Sequence, residues 1–154
     1  MNRDRLSRHL LIAFVLALGL YVFGYWFIES RRVVHTPWQV GFQTHSEEHI
    51  ELEVWQESLD LGPVTIRLKT PATNPPSARQ EIRFDTPRPV PFDVPGGQCL
   101  FQDTTFLPGT VVLEISGIKI QMLPRVLTIG TNEFPWQKDS TIIVAPDETP
   151  KRLN

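Results

Sequence analysis

Residues 45 to 49 read His-Ser-Glu-Glu-His. Two imidazoles bracket two carboxylates within one short turn of chain, and neutral imidazole nitrogens with carboxylate oxygens are a donor set that zinc accepts. His45, Glu48 and His49 are therefore the candidate metal ligands. Directly after them come Glu51, Glu53 and Trp55, which fall on one face if the segment is a strand. Carboxylates at i and i+2 lie roughly 7 Å apart, a separation that suits a bound cation or the acid pair of a glycosidase. An aromatic ring beside them can stack on a sugar. These three residues are the candidate ligand or partner surface. The plainer reading is an acidic, wet sheet face with Trp55 covered by a loop, which is ordinary on a half-buried sheet.

The stretch H-x-x-E-H, residues 45–49, resembles the zinc-binding segment of inverzincin metallopeptidases over five residues and no more. The resemblance implies two histidines sharing one Zn²⁺ from helical spacing, with Glu48 as the base. The flanks here alternate like strands, "WQVGFQT" before and "IELEVWQ" after, so His45 and His49 fall across a tight turn. A polar hairpin loop is the reading this context favours.

Cys99 is the lone cysteine, which excludes an intrachain disulfide. Beside Leu100 and Phe101 it reads as an inert core thiol rather than a nucleophile paired with His35 or His49. Gly96-Gly97 follows Pro95 and precedes a strand, so it reads as a turn, not a phosphate loop. No cofactor is expected.

The elements that must position these residues come in two kinds. Leu10 to Ile28 carries no charge, and at ~1.5 Å per residue a helix of that length spans about 28 Å, close to the hydrocarbon thickness of a bilayer. It is apolar all round, and no second long helix is available to bury it. Tyr21, Tyr25 and Trp26 gather towards one end, where aromatic rings favour the headgroup boundary. Bulky "YVFGYWF" stands where a cleaved signal peptide carries small residues, so the segment reads as a retained anchor. Arg3, Arg5 and Arg8 precede it; Arg31 and Arg32, offset by Glu29, follow it. That bias sets the N-terminus in the cytoplasm and the remainder of the chain outside.

Behind the anchor the apolar period becomes two. Trp38, Val40 and Phe42 alternate with polar or small residues. So do Ile50, Leu52 and Val54, and then Val64, Ile66 and Leu68. "TVVLEISGIKIQML", 110–123, predicts a hairpin turning on Ser116-Gly117, with Glu114 opposite Lys119 and Leu113 opposite Ile120. Fourteen prolines, mostly after residue 70, argue for short strands and stiff loops. Arg125, the lone charge in a long apolar stretch, reads as partly buried and paired with an acid such as Glu133.

The expected fold is all-β: an antiparallel β-sandwich, Ig-like or related, of about eight short strands, preceded by one N-terminal transmembrane helix. The segments are a basic cytoplasmic tail (1–9), the transmembrane helix (10–28), a juxtamembrane linker (29–36), the sandwich (37–145) and a disordered tail (146–154). From residue 33 onward the chain holds ten basic and fifteen acidic residues, a charge of −5, which excludes nucleic acid as a partner. The expected partners are the lipid bilayer, through 10–28, and a protein of the cell envelope. A non-catalytic interaction or structural role is the leading expectation; a glycan- or metal-binding module and a zinc hydrolase are the alternatives.

Overall fold

The structure is a computed structural model that describes residues 3–30, 36–46, 49–71, 76–145 and 148–153. The chain divides into two units, Met1–Val34 and His35–Asn154.

The described residues of the first unit form one helix, α1, Arg3–Ser30. Within it Leu6–Ser30 is long and apolar enough to cross a membrane, and none of that segment is buried in protein. The helix overruns the expected 10–28 at both ends. Backbone hydrogen bonding continues through the polar first turns, and the Ser30 hydroxyl donates back to the Phe27 carbonyl at 3.0 Å.

The second unit is a pair of six-stranded sheets. One runs in the order β12-β11-β3-β2-β1-β4, the other β10-β9-β8-β7-β6-β5. Strands β1 (Gln39–Ser46), β2 (His49–Gln56), β3 (Leu61–Leu68) and β4 (Gln80–Arg83) build the first sheet with β11 (Ser140–Val144) and β12 (Lys151–Leu153). The second holds β5 (Phe92–Val94), β6 (Gly97–Asp103), β7 (Thr110–Ile115), β8 (Ile118–Met122), β9 (Val126–Ile129) and β10 (Asn132–Pro135). Alternation decides which side chains enter the layer between them. Trp38, Val40, Phe42, Ile50, Leu52, Val54, Val64, Ile66 and Leu68 come from one sheet. Cys99, Val111, Leu113, Ile115, Ile120, Met122, Leu127 and Ile129 come from the other, and all are buried.

The hairpin on Ser116-Gly117 forms in the expected register, Val111 with Met122, Leu113 with Ile120, Glu114 with Lys119 and Ile115 with Ile118. Both turn residues have positive φ, 49° and 78°. That is the primed two-residue turn whose twist matches the strands, and it is why glycine stands at 117.

Twelve strands form among the described residues, against about eight expected. The additional ones are short edge pieces whose composition conceals them. β10 reads Asn-Glu-Phe-Pro, and β12 reads Lys-Arg-Leu. Residues 146–154 therefore do not form a wholly disordered tail, since Lys151–Leu153 pairs with β11. Arg152 holds it there. Its guanidinium lies 5.5 Å from the Phe134 ring and donates to the Pro135 carbonyl at 2.6 Å and to Gln137 Oε1 at 3.2 Å, so β12 of one sheet is tied to the end of β10 in the other. Pairing is antiparallel except between β11 and β3, which run parallel. Arg125 is exposed at the tip of the β8–β9 turn, where the Leu123 and Val126 backbones bond to each other. Its expected partner Glu133 sits on β10 opposite Thr128.

Strand directions sort the connections by end. β1 starts at one end, here called proximal because the body begins there. The same end carries the β2–β3 loop (57–60), the β6–β7 loop (104–109), the β8–β9 turn and the β10–β11 crossing. Two hydrogen bonds knit it together: Trp38 Nε1 to the Gly109 carbonyl at 3.0 Å, and Trp136 Nε1 to the Leu123 carbonyl at 2.8 Å. The β1–β2 turn, the Gly96 turn and the Ser116-Gly117 hairpin lie at the opposite, distal end, where Ser116 N bonds to the Gly96 carbonyl at 3.1 Å.

Candidate functional site: a groove beside Trp55

β2 alternates cleanly. Ile50, Leu52 and Val54 point inward, which sends Glu51, Glu53 and Trp55 to the outer face. Register then chooses their neighbours: Glu51 stands between Gln43 and Arg67, Glu53 between Gly41 and Thr65, and Trp55 opposite Gln39.

The two carboxylates are engaged differently. Glu51 is only 7% exposed. It accepts from Gln43 Nε2 at 2.5 Å and pairs with Arg67 Nε at 2.6 Å. This is a cross-strand ladder of three side chains that closes over the sheet. Glu53 is more open and pairs with Arg79 Nη2 at 2.5 Å. Arg79 arrives from the segment just before β4. It crosses β1 above Gly41, where a Cβ would stand 3.5 Å from both the guanidinium and the Trp55 ring. The missing side chain at 41 makes the space in which Arg79 and Trp55 meet.

At Trp55 the ladder slips, because the β2–β3 register shifts between Val54 and Gln56. Gln56 is turned inward and fully buried. Its amide donates to the Thr36 carbonyl, to Thr36 Oγ1 at 2.9 Å and to Ser58 Oγ at 2.9 Å, and its oxygen accepts from Leu59 N at 2.7 Å. The bulge leaves an open groove of about 500 Å³ bordered by Glu53, Trp55, Pro63, Arg79, Asp60 and Lys138. Lys138 and Asp60 pair at 2.7 Å across one rim. The Asp60 carboxylate raises the Lys138 pKa, by its hydrogen bond first and its charge second. A half-buried indole flanked by two exposed, exchangeable ion pairs presents an apolar face with donors and acceptors of both signs. That combination suits a hydroxyl-rich or mixed-charge ligand. Among the three residues read from sequence, Glu53 and Trp55 border the groove, while Glu51 is taken up by the sheet.

The His45–His49 segment is the β1–β2 turn. Its backbone is strand up to Ser46 and strand again from His49, and Ser46 pairs with His49. Among the described residues His45 and His49 stand on strands, not on the helix that H-x-x-E-H zinc chemistry uses. The side chains of His45 and Glu48 lie outside the described residues, and so does His35. Among the described residues no group of three His, Cys, Asp or Glu side chains gathers closely enough to hold a metal ion.

Cys99 is a core residue of β6, fully shielded, with its sulfur 3.4 Å from the Phe101 carbonyl. Burial pushes the thiol pKa up to about 11, partly opposed by that hydrogen bond and by Arg88. A nucleophilic cysteine is displaced the other way.

Sequence reasoning did not find Arg79, Asp60 or Lys138. Asp60 lies in the β2–β3 loop just after Trp55, whereas Arg79 and Lys138 come from segments far off in the chain that only the sheet order brings to Trp55. Compared with protein-family models, with curated proteins and with solved structures, the chain finds no match in any of the three. The class of protein is thus defined by its own architecture: one exposed apolar helix followed by a two-sheet β body.

Proposed function

We propose that this is a single-pass membrane-anchored protein whose sandwich is held outside the cytoplasm and acts by recognition rather than by bond chemistry, as an interaction component of the cell envelope. The observation that carries this reading is the helix. Leu6–Ser30 is apolar, unburied and long enough to span, while the following unit closes a core of its own. A helix that buries nothing in protein needs lipid to cover it. The recognition surface in this reading is the Trp55 groove, a concavity that combines an aromatic ring with convergent charged groups.

The test has two parts. Alkaline carbonate washing of membranes should leave the intact chain in the pellet. A cysteine introduced at Lys138→Cys should react in intact cells with a maleimide that cannot cross the cytoplasmic membrane. Release into the supernatant removes the anchor, and labelling only after permeabilisation reverses the orientation.

A second reading is supported by Trp55 itself: the groove is a glycan site, with the indole stacked on a sugar ring and Glu53, Arg79, Asp60 and Lys138 hydrogen-bonding its hydroxyls. Binding on a glycan array that disappears in Trp55→Ala supports it. An array with no bound glycan overturns it.

A further inference from the structure

The body exposes its large apolar side chains unevenly. Among the described residues of the body, those that stand out are Val90, Phe101, Phe106 and Leu153. Phe106, at 73% exposure, is the most open. It sits at the tip of the β6–β7 loop, at the proximal end, and Leu153 closes β12 at that same end, opposite Thr141. None of the four belongs to a distal-end connection. Scattered apolar residues are normal on protein surfaces, but Phe106 and Leu153 share the end at which the body begins.

The loop that carries Phe106 is built to hold it out. Asp103 Oδ1 accepts from Thr105 N at 2.8 Å on one side. On the other, Trp38 Nε1 fastens the Gly109 carbonyl. Gly109 has φ +72°, and a Cβ there would strike the Asp103 carbonyl, so the two ends of the loop close on each other and Pro108 is buried beneath. Phe106 is pushed outward from a braced base, and little ordering is left for it to pay on contact.

The proximal end is also the tethered end. Seven residues separate Ser30, the last of α1, from Trp38 at the foot of the sandwich, so the eight Cα–Cα steps reach at most about 29 Å fully extended. One phenylalanine binds a bilayer weakly by itself. Tethering turns that weak contact into an intramolecular one with a high effective concentration.

We propose that the Phe106 loop is a second membrane contact, seating its ring at the headgroup boundary of the bilayer that holds α1. The proposal rests on the membrane reading of α1, and the experiment separates the two. The full chain is reconstituted in phosphatidylcholine–phosphatidylglycerol vesicles with and without nitroxide-labelled lipid. A polarity-sensitive fluorophore is placed in turn at Phe106→Cys, at Thr131→Cys in the distal β9–β10 turn, and at Leu18→Cys in the helix. Native Cys99, buried, stays unlabelled at neutral pH. The expected result is loss of most emission at 18, a clear partial loss with a blue shift at 106, and none at 131. Quenching at 18 with 106 no different from 131 overturns the loop contact and leaves the anchor standing, as it would if the loop served a protein partner. No quenching at 18 removes the anchor and the proposal with it.

Discussion

Trp38 and Trp136 stack with ring centroids 5.0 Å apart and planes inclined by 22°. Trp38 leads into β1 in one sheet, and Trp136 follows β10 in the other. Each indole also donates to a backbone carbonyl of a loop in the second sheet. One aromatic pair therefore closes the proximal end of the sandwich. Trp38→Ala should cost about 3–5 kcal/mol, as expected for a fully buried large aromatic. Trp136→Ala, partly exposed, should cost less. A double-mutant cycle should return a coupling of roughly 0.5–1.5 kcal/mol. Denaturant melts of the four proteins, followed by near-ultraviolet circular dichroism, measure it. Additive losses would mean that the stack contributes nothing beyond burial.

Gln56 makes the next prediction, because its whole amide is used inside the fold. Gln56→Leu keeps the volume but strips the partners from Thr36 and Ser58, and should lower stability by about 1–3 kcal/mol. Hydrogen exchange should quicken at Leu59, whose amide bonds to Gln56 Oε1. Unchanged exchange there would show that the loop does not depend on this side chain.

The Ser116-Gly117 turn gives a prediction of either sign. Ser116 holds φ +49° with its hydroxyl buried and unpartnered. Asparagine tolerates that backbone better, so Ser116→Asn should stabilise by roughly 0.5 kcal/mol. Gly117→Val places a β-branched residue at φ +78° and should destabilise by about 1–3 kcal/mol, although a Cβ there meets no neighbour. Melting temperatures of the two variants should move in opposite directions.

Cys99 sets a pH dependence. Its folded pKa of about 11 lies above the 9.0 of a free thiol, so the folded state keeps a proton that the unfolded state releases. Stability from this group is complete below pH 9 and is lost as pH rises towards 11, to the extent of about 3 kcal/mol at most. Cys99→Ala should lack that alkaline step. At pH 8 the native thiol should resist a disulfide reagent that modifies it quickly in denaturant. Fast modification of the native protein would contradict the buried position.

Arg152 carries the last prediction. Arg152→Met removes two hydrogen bonds and the contact with Phe134, and should cost about 1–2 kcal/mol, a range reduced for its partial exposure. Proteolysis should then begin at β12 while the remaining sheet stays protected. Uniform loss of protection would indicate that β12 and the core unfold together.

Much of this architecture is readable from local pattern. An uncharged run from Leu10 to Ile28 implies a helix that is apolar on every face. Alternation at 38–42, 50–54 and 64–68 implies which side chains face inward, because successive strand residues point to opposite sides. Ser116-Gly117 between apolar runs implies its own register. These inferences need only a few neighbouring residues. Tertiary structure alone decided that β11 lies parallel to β3, that Lys151–Leu153 is tied down by Arg152, that Glu51 is closed into the sheet while Glu53 stays in a groove, and that Phe106 shares an end with Trp38. Each of these depends on which strand lands beside which across long stretches of chain. That choice comes from fitting two apolar layers together, and no short-range period in the sequence records it.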